Sequence, residues 1–160
     1  MSTIETAVAD VDEAWTSFQR LRTQLTGRIN RELTQSTGLS EADFDILFAL
    51  DESEDKSLRA LALRCGLDWE KSRLSHQLRR MESRGLVAKE ACIEDARGTT
   101  IVLTEAGRAA IAAARSCHAA AVSRYFGDVL SAEQLTALSS ISSAVLERLA
   151  EDAPEPVHGR

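Results

Sequence analysis

The chain has 160 residues, a formal net charge of −6 at pH 7 and 44% hydrophobic residues. This length normally makes one domain, and this hydrophobic content excludes a disordered protein. The three cysteines lack a Cys-x-x-Cys spacing, which argues against a disulfide framework or a zinc site. We expect a cytoplasmic protein, because the first ten residues do not form a secretory signal and no apolar stretch is long enough to span a membrane.

Two helices are predicted at the start of the chain. Residues 1–9 are expected to be a flexible N-terminus, and apolar periodicity predicts a first helix over residues 10–35. A second helix is predicted from Ser40 to Leu50, with Ser40 as its N-cap and Asp43 at its third helical position.

Two short helices joined by a tight turn are predicted next. The first runs from Ser57, its predicted cap, to Gly66. The second is predicted to be capped at Asp68 and to stop at Gly85. Two short helices with a turn that contains glycine form a helix-turn-helix.

The second helix of this pair has an apolar side and a cationic side. Leu74, Leu78 and Met81 recur at i, i+4 and i+7 and form one apolar stripe. The opposite side, called here the cationic face, holds Ser72, His76, Arg79, Arg80 and Ser83. It has no carboxylate, whereas a helix that needs only solubility usually mixes both signs of charge. A helix that enters a DNA major groove needs hydrogen-bond donors for bases and cations for phosphates.

The charge of the chain is distributed unevenly. Residues 71–89 hold six Lys or Arg and one acid, Glu82, which gives a net charge of +5 and leaves −11 for the rest of the chain. Such a protein would bind a polyanion through one surface and repel it elsewhere. An ordinary solvated helix face is the alternative interpretation of the charge alone.

A β-hairpin is predicted after the helix-turn-helix. Residues 86–93 and 99–104 are rich in β-formers and flank a loop, 94–98, with turn chemistry. A helix-turn-helix followed by a hairpin is a winged helix, whose wing tip can place an arginine in the minor groove. The predicted fold is therefore mainly α with a small β-hairpin wing.

From about residue 10 to residue 150 the chain resembles the MarR family (multiple-antibiotic-resistance regulators) of transcription factors. The most specific likeness lies in residues 72–87, which match the family's recognition helix, in 95–98, which match its wing signature, and in 103–107, where the last strand enters the next helix. The resemblance implies a sequence-specific DNA-binding regulator, with repression as the family's default.

The resemblance also implies DNA contacts. It places Ser72, Arg73, Ser75, His76 and Arg80 at groove-facing positions, Arg97 at the wing arginine, and Asp95 and Gly98 in the same wing signature, with Asp95 orienting Arg97. Arg79 of the cationic face completes the predicted set. The chain departs from the family pattern in two places, since His76 stands where arginine is common and a large Trp69 opens the helix.

Two further helices are predicted over residues 104–126 and 131–149, the second with Ser131 as its cap and Gln134 as the capping partner. Residues 10–36 and 104–150 would form a dimerisation region around a winged helix at 37–103, with a disordered tail over 151–160. An operator with two-fold symmetry needs two copies of the DNA-binding winged helix, called here the reader. This requirement predicts a homodimer. In the alternative interpretation, the apolar stripes of these helices cover only the chain's own core.

A ligand site is predicted between the dimerisation helices and the reader. Arg22 interrupts the apolar stripe of the first helix, and His118 interrupts that of the fifth. The predicted site consists of Trp15, Phe18, Arg22, Phe44, Phe48 and His118, and suits a small aromatic carboxylate or a phenol. The resemblance agrees, because many family members bind such effectors there. Alternatively, Arg22 pairs with Asp43 or Asp45, and a backbone carbonyl satisfies His118.

Other functions stay open or are disfavoured. Redox control through Cys65, Cys92 or Cys117 is an alternative mode of regulation. A winged helix used only for protein contact is another, and binding that does not depend on salt would favour it. With three histidines, no Gly-rich phosphate loop and no run of metal ligands, we expect neither an enzyme nor a cofactor or metal.

Overall fold

The structure is a computed structural model that describes residues 3–91 and 98–152, with side chains from residue 10 onward. The described elements are α1 (Thr3–Thr37), α2 (Glu41–Glu52), β1 (Ser57–Arg59), α3 (Ala60–Leu67), α4 (Lys71–Ser83), β2 (Val87–Ala91), β3 (Thr99–Leu103), α5 (Glu105–Val122) and α6 (Ala132–Glu151). A π-helical turn, Ser123–Gly127, follows α5. The mainly helical fold with a small winged sheet is confirmed.

The chain divides into two compact units, Met1–Ala121 and Val122–Arg160. The first unit contains the whole predicted reader and its hydrophobic core. The second contains the π-helical turn and α6. Among the described residues, no single helix is both long and apolar enough to cross a membrane; only Glu105–Gly127 and Ala132–Glu151, taken as a bent pair, meet that test by length and composition.

Two of the four predicted helix caps, Ser40 of α2 and Ser131 of α6, are confirmed. The backbone N–H of Asp43 donates to Ser40 Oγ (3.2 Å), and the backbone N–H of Ser40 donates to Asp43 Oδ2 (2.9 Å). At the start of α6, Gln134 and Ser131 exchange the same two bonds at 3.2 and 2.8 Å. Each reciprocal pair satisfies N–H groups that have no partner within the helix. By contrast, α1 begins at Thr3 rather than at Asp10, because residues 3–9 contain neither glycine nor proline to stop it.

The sheet is antiparallel with the order β1-β3-β2. The predicted hairpin is present as β2 and β3, in which Lys89 lies opposite Ile101. The predicted start of the next helix at Ser57 is wrong. Ser57 belongs to β1 and pairs with Val102 of β3, and α3 begins at Ala60. Lys56, at a φ of 53°, turns the chain into this strand. Pairing with a distant strand outweighs the local preference of a serine for a helix cap.

The predicted cap of α4 is also wrong. Asp68 ends α3 in the left-handed conformation (φ 52°, ψ 45°), and its N–H donates to Cys65 O at 3.2 Å. The recognition helix begins only at Lys71. Aspartate is favoured both at helix N-caps and in left-handed turns, so the residue type alone does not separate the two.

The core lies between α2, α4, the sheet and α5. The predicted apolar stripe of α4 is confirmed, since Leu74, Leu78 and Met81 are all buried. They pack in one cluster with Leu33, Ile46, Leu47, Leu50, Leu63, Val87, Ile101, Leu103 and Ile111. Burial of one side of α4 leaves its opposite side in solvent.

The start of α5 is packed against the end of the reader. The Thr104 hydroxyl lies 2.7 Å from Gly85 O and 2.9 Å from Leu86 O. Gly107, in the first turn of α5, approaches so closely that a Cβ there would lie 2.0 Å from Leu86 O. Only glycine permits this approach.

Candidate nucleic-acid interface

The predicted DNA contacts on α4 share one property, exposure to solvent. All six are exposed: Ser72, Arg73, Ser75, His76, Arg79 and Arg80. Because the other side of the helix is buried, these donors and cations project together from the molecule. Such a surface can donate hydrogen bonds to base edges and neutralise phosphates.

Within the part of the chain that the structure describes, two of the six cations of residues 71–89 form ion pairs with carboxylates. Arg84 donates to Asp43 Oδ2 at 2.8 Å and to Gly38 O at 3.1 Å. Lys89 pairs with Glu82 at 2.7 Å. Lys71, Arg73, Arg79 and Arg80 are the remaining four, and each is exposed.

Asp43 ties α2 to the recognition helix. It is only 1% exposed, and its Oδ1 accepts from Gln77 Nε2 at 2.7 Å while its Oδ2 accepts from Arg84. Burial alone would raise the pKa of Asp43. The hydrogen bonds from Ser40 and Arg84, with the positive charge of Arg84, outweigh burial and leave the pKa below its ordinary value of 3.8. The carboxylate is thus charged at neutral pH and holds α4 against α2.

An aromatic side chain supports one of the predicted base contacts. Trp69 is half-buried and packs against the core just before α4. The guanidinium carbon of Arg73 lies over its ring, 4.1 Å from the centroid.

The wing is described only at its base. Asp95 and Arg97, two predicted contacts, lie outside the described residues, as does Cys92. Gly98 is half-buried and directly precedes β3. The antiparallel pairing of Ala91 with Thr99 places the end of β2 beside the start of β3.

Part of the predicted ligand site is assembled between α2 and α5. The His118 ring stacks on Phe44 with centroids 4.8 Å apart and an interplanar angle of 19°. Phe48 lies 5.8 Å from Phe44. Arg115 covers the other aromatic ring, with its guanidinium carbon 4.4 Å from the Phe48 centroid.

The remaining ligand-site residues lie on α1. Trp15 and Phe18 contact each other, with centroids 5.9 Å apart, and are 58% and 49% exposed. Arg22 is also exposed. The alternative pairing of Arg22 with Asp43 is wrong, because Ser40, Gln77 and Arg84 occupy both carboxylate oxygens.

Known structures share this architecture. AbsC, a MarR family transcriptional regulator from Streptomyces coelicolor, is 34% identical with a TM-score of 0.81, over 95% of this chain and 98% of AbsC. Sco3205, a MarR family regulator from the same organism solved in complex with DNA, is 30% identical with a TM-score of 0.84, over 94% and 91% of the two chains. The model of the MarR family itself matches residues 37–98. The chain belongs to the MarR family.

This MarR family chain is therefore a DNA-binding transcriptional regulator with a winged helix. CouR from Rhodococcus jostii RHA1, solved bound to p-coumaroyl-CoA, has the same fold at 20% identity, with a TM-score of 0.71 over 91% of this chain and 97% of CouR. No curated protein sequence matches the chain.

The sequence analysis did not predict the contacts of three residues in this MarR family chain. Gln77 and Arg84 reach Asp43 from 34 and 41 residues away, a distance over which periodicity gives no information. Arg115 bonds Glu52 and lies 2.9 Å from Asp51, and the hydrogen bond to Glu52 raises its pKa above the ordinary value. Its position one turn before His118 on α5 is the signal that could have indicated it.

Asp45 of α2 has charged neighbours on both α4 and α5. Burial raises the pKa of Asp45 above 3.8, and Glu41 adds to that rise. Arg73 of the MarR recognition helix and His118 of α5 both act in the opposite direction. Asp45 therefore interacts electrostatically with one residue of α4 and one of α5.

The thiols of this MarR protein differ in accessibility. Cys65 is exposed, and Cys117 is half-buried with Sγ 3.8 Å from Glu32 O. No group of three or more His, Cys, Asp and Glu side chains in the described part of the chain could hold a metal ion.

Proposed function

We propose that this regulator is a homodimeric repressor that binds a palindromic operator and is released from it by a small aromatic ligand. The observation that carries the proposal is the two-sided packing of α4. Leu74, Leu78 and Met81 are buried, whereas every residue of the cationic face is exposed. In this arrangement α4 lies in the major groove, with Ser72, Arg73 and His76 near base edges and Arg80 at a phosphate.

The wing supplies the second contact in this proposal. Arg97 would enter the minor groove, where the narrow groove of A-tracts strengthens the attraction for arginine. Asp95 would orient Arg97, and Gly98 would complete the same wing signature.

Exposed apolar side chains support the homodimer. On α1, Val11, Trp15 and Phe18 are 66%, 58% and 49% exposed, and on α6 Ile141 and Leu149 are 61% and 62% exposed. Large apolar side chains exposed along one helix often mark an interaction site. A symmetric dimer would cover it and present two copies of α4 about one helical turn of DNA apart.

The proposed effector is an anionic aromatic compound, a carboxylate or a phenol. The stacked pair of Phe44 and His118 with Phe48 offers aromatic faces. Arg115 adds a cation beside Phe48, with its guanidinium carbon 4.4 Å from the ring centroid. CouR, which has the same fold, is bound to p-coumaroyl-CoA, a larger ligand that carries an aromatic group.

Release requires that the ligand prefer the DNA-incompetent spacing of the two recognition helices, because a ligand with equal affinity for both states shifts nothing. Thermal-shift screening of phenols and aromatic carboxylates, followed by DNA release with each hit, identifies the effector. Arg22→Ala is expected to keep DNA binding and lose the ligand response. A lower melting temperature with an intact response would instead make Arg22 a structural residue.

DNA binding is tested through the salt dependence of variants. Arg80→Ala should weaken binding to all sequences and reduce the salt slope by about one, as expected for one lost phosphate contact. Arg97→Ala should cost roughly 1–3 kcal/mol of operator affinity and leave folding unchanged. Arg28→Ala is the control, since Arg28 lies on α1 in an ion pair with Glu32. If Arg97→Ala binds like wild type, the wing assignment is wrong.

A further inference from the structure

Trp69 and Arg73 form a contact at the entry to the recognition helix. Trp69 stands two residues before Lys71, the first residue of α4, and its ring is anchored by packing against the core. Arg73, one turn further on, is exposed and places its guanidinium over that ring at 4.1 Å. An aromatic ring anchored in the core therefore supports a cation on the surface that is proposed to face DNA.

The stack leaves the hydrogen-bonding groups of Arg73 available. A guanidinium is planar, and all its N–H groups lie in the plane, so stacking through one face does not block them. Bidentate recognition of guanine O6 and N7 uses those same in-plane donors. Stacking on Trp69 and reading a guanine can thus occur together.

The stack also reduces the entropic cost of base recognition. A free arginine side chain carries about 2 kcal/mol of rotamer entropy, which is lost when it is fixed on a base. Part of that loss has already occurred in the free protein when Arg73 lies on Trp69.

We propose that Trp69 is a positioning residue for sequence recognition, and that its indole holds Arg73 in the orientation that reads one G·C pair in each operator half-site. This inference rests on the proposed docking of α4 in the major groove. It assigns the specificity of one base pair to a residue that need not touch DNA.

The experiment uses the full-length protein and a duplex that the wild-type protein enriches from a random-sequence library. Binding to this duplex and to all its single-base variants is measured by competition at fixed salt. The variants are Arg73→Ala, Trp69→Leu, Trp69→Phe and the double variant Trp69→Leu/Arg73→Ala. Leucine keeps the apolar packing against the core but removes the aromatic face under Arg73. Phenylalanine keeps the apolar packing and also the aromatic face.

Arg73→Ala should reduce the preference for one G·C pair in each half-site by about tenfold, as for one bidentate contact. Trp69→Leu should reduce the preference at the same pair by about two- to fivefold, the size of an exposed cation–π interaction. Trp69→Phe should restore most of it. The double variant should match Arg73→Ala, and preferences at the other base pairs should not change.

Three results would overturn the inference. In the first, Trp69→Leu weakens binding to every sequence equally and Trp69→Phe is no better, so Trp69 only packs. In the second, the losses of the two single variants add in the double variant, so Trp69 does not act through Arg73. In the third, Arg73→Ala changes no base preference, although the wild type still enriches a sequence. Failure of the wild type to enrich any sequence would instead overturn the proposed function.

Discussion

Asp43 combines a local role with a long-range one. As the third residue of α2 it completes the cap with Ser40, and this part was predictable from the spacing of two residues. Its bonds to Gln77 and Arg84 depend on how α4 packs across α2, so they could be found only in the folded chain. Local sequence rules therefore predict the helix cap at Asp43 but not its contacts with α4.

Replacing Asp43 with asparagine should destabilise the protein. Asparagine keeps the shape but loses the ion pair with Arg84, whose side chain is 38% exposed. Because that exposure screens the pair, we expect a loss of about 1–3 kcal/mol in the free energy of unfolding, measured with urea at pH 7.

Asp45→Asn is the matched control on the same helix. Burial raises the pKa of Asp45, so its charged form is disfavoured in the folded state and a neutral amide should be neutral or stabilising. Equal losses of stability in the two variants would contradict the role given to Asp43.

The contribution of Asp43 should depend on pH. Its folded pKa lies below 3.8, so its stabilising effect is present above about pH 4 and is lost as the pH falls through the folded pKa. Asp45 has the opposite sign, since its raised pKa makes folding less favourable above that pKa and this cost disappears on acidification. The difference in stability between wild type and Asp43→Asn should shrink from pH 7 to pH 3. A difference that stays constant over this range would show that charge is not involved.

At the scale of elements, periodicity predicted the structures that depend on burial of apolar side chains. It failed to predict those that depend on pairing with a strand distant in the sequence. The stripe of α4 and the cationic face opposite it followed from the spacing of apolar residues. Strand β1 has three residues and exists because β3 lies beside it, so no local pattern marks it. The turn at Asp68 was missed because one residue type suits two backbone conformations.

The junction between the reader and α5 gives a prediction about Gly107. Gly107→Ala would place Cβ 2.0 Å from Leu86 O, so the backbone of α5 or of the β2 entry must move. We expect a loss of about 1–3 kcal/mol of stability, as for overpacking of a core.

Gly66→Ala is the control for Gly107→Ala. Gly66 also lies in a helix, α3, and a Cβ there meets nothing within 4 Å. It should stabilise the protein by about 0.5–1 kcal/mol, because alanine is the better helix former. Comparable thermal denaturation curves for the two variants would contradict the close packing of α5 against Leu86.

At the scale of the molecule, the sequence indicated the cationic face and three residues that the structure brings together in the proposed ligand site, Phe44, Phe48 and His118. It did not indicate Arg115, because the importance of Arg115 comes from its position beside Phe48 rather than from helix periodicity. The assembly of two chains is likewise beyond one chain's residues and stays a prediction.

The homodimer can be tested on α6. Light scattering at micromolar concentration should give about twice the chain mass of 17.4 kDa. Val145→Glu should shift the protein towards the monomer, because Val145 is an apolar residue that is 56% exposed and a buried unpaired charge is costly. Ser143→Glu, at an exposed position on the opposite side of α6, should leave the dimer intact. A wild-type protein that scatters as a monomer would exclude the two-fold arrangement.

The most direct test of the central claim is the sequence that the wild-type protein selects from a random duplex library. Two copies of α4 in successive major grooves predict an inverted repeat whose half-sites are centred about 10 base pairs apart. Binding to that sequence should weaken steeply as salt rises, because Lys71, Arg73, Arg79 and Arg80 displace counterions from the phosphates. Enrichment of no sequence, or of a single asymmetric site bound with the same affinity at low and high salt, would contradict the account.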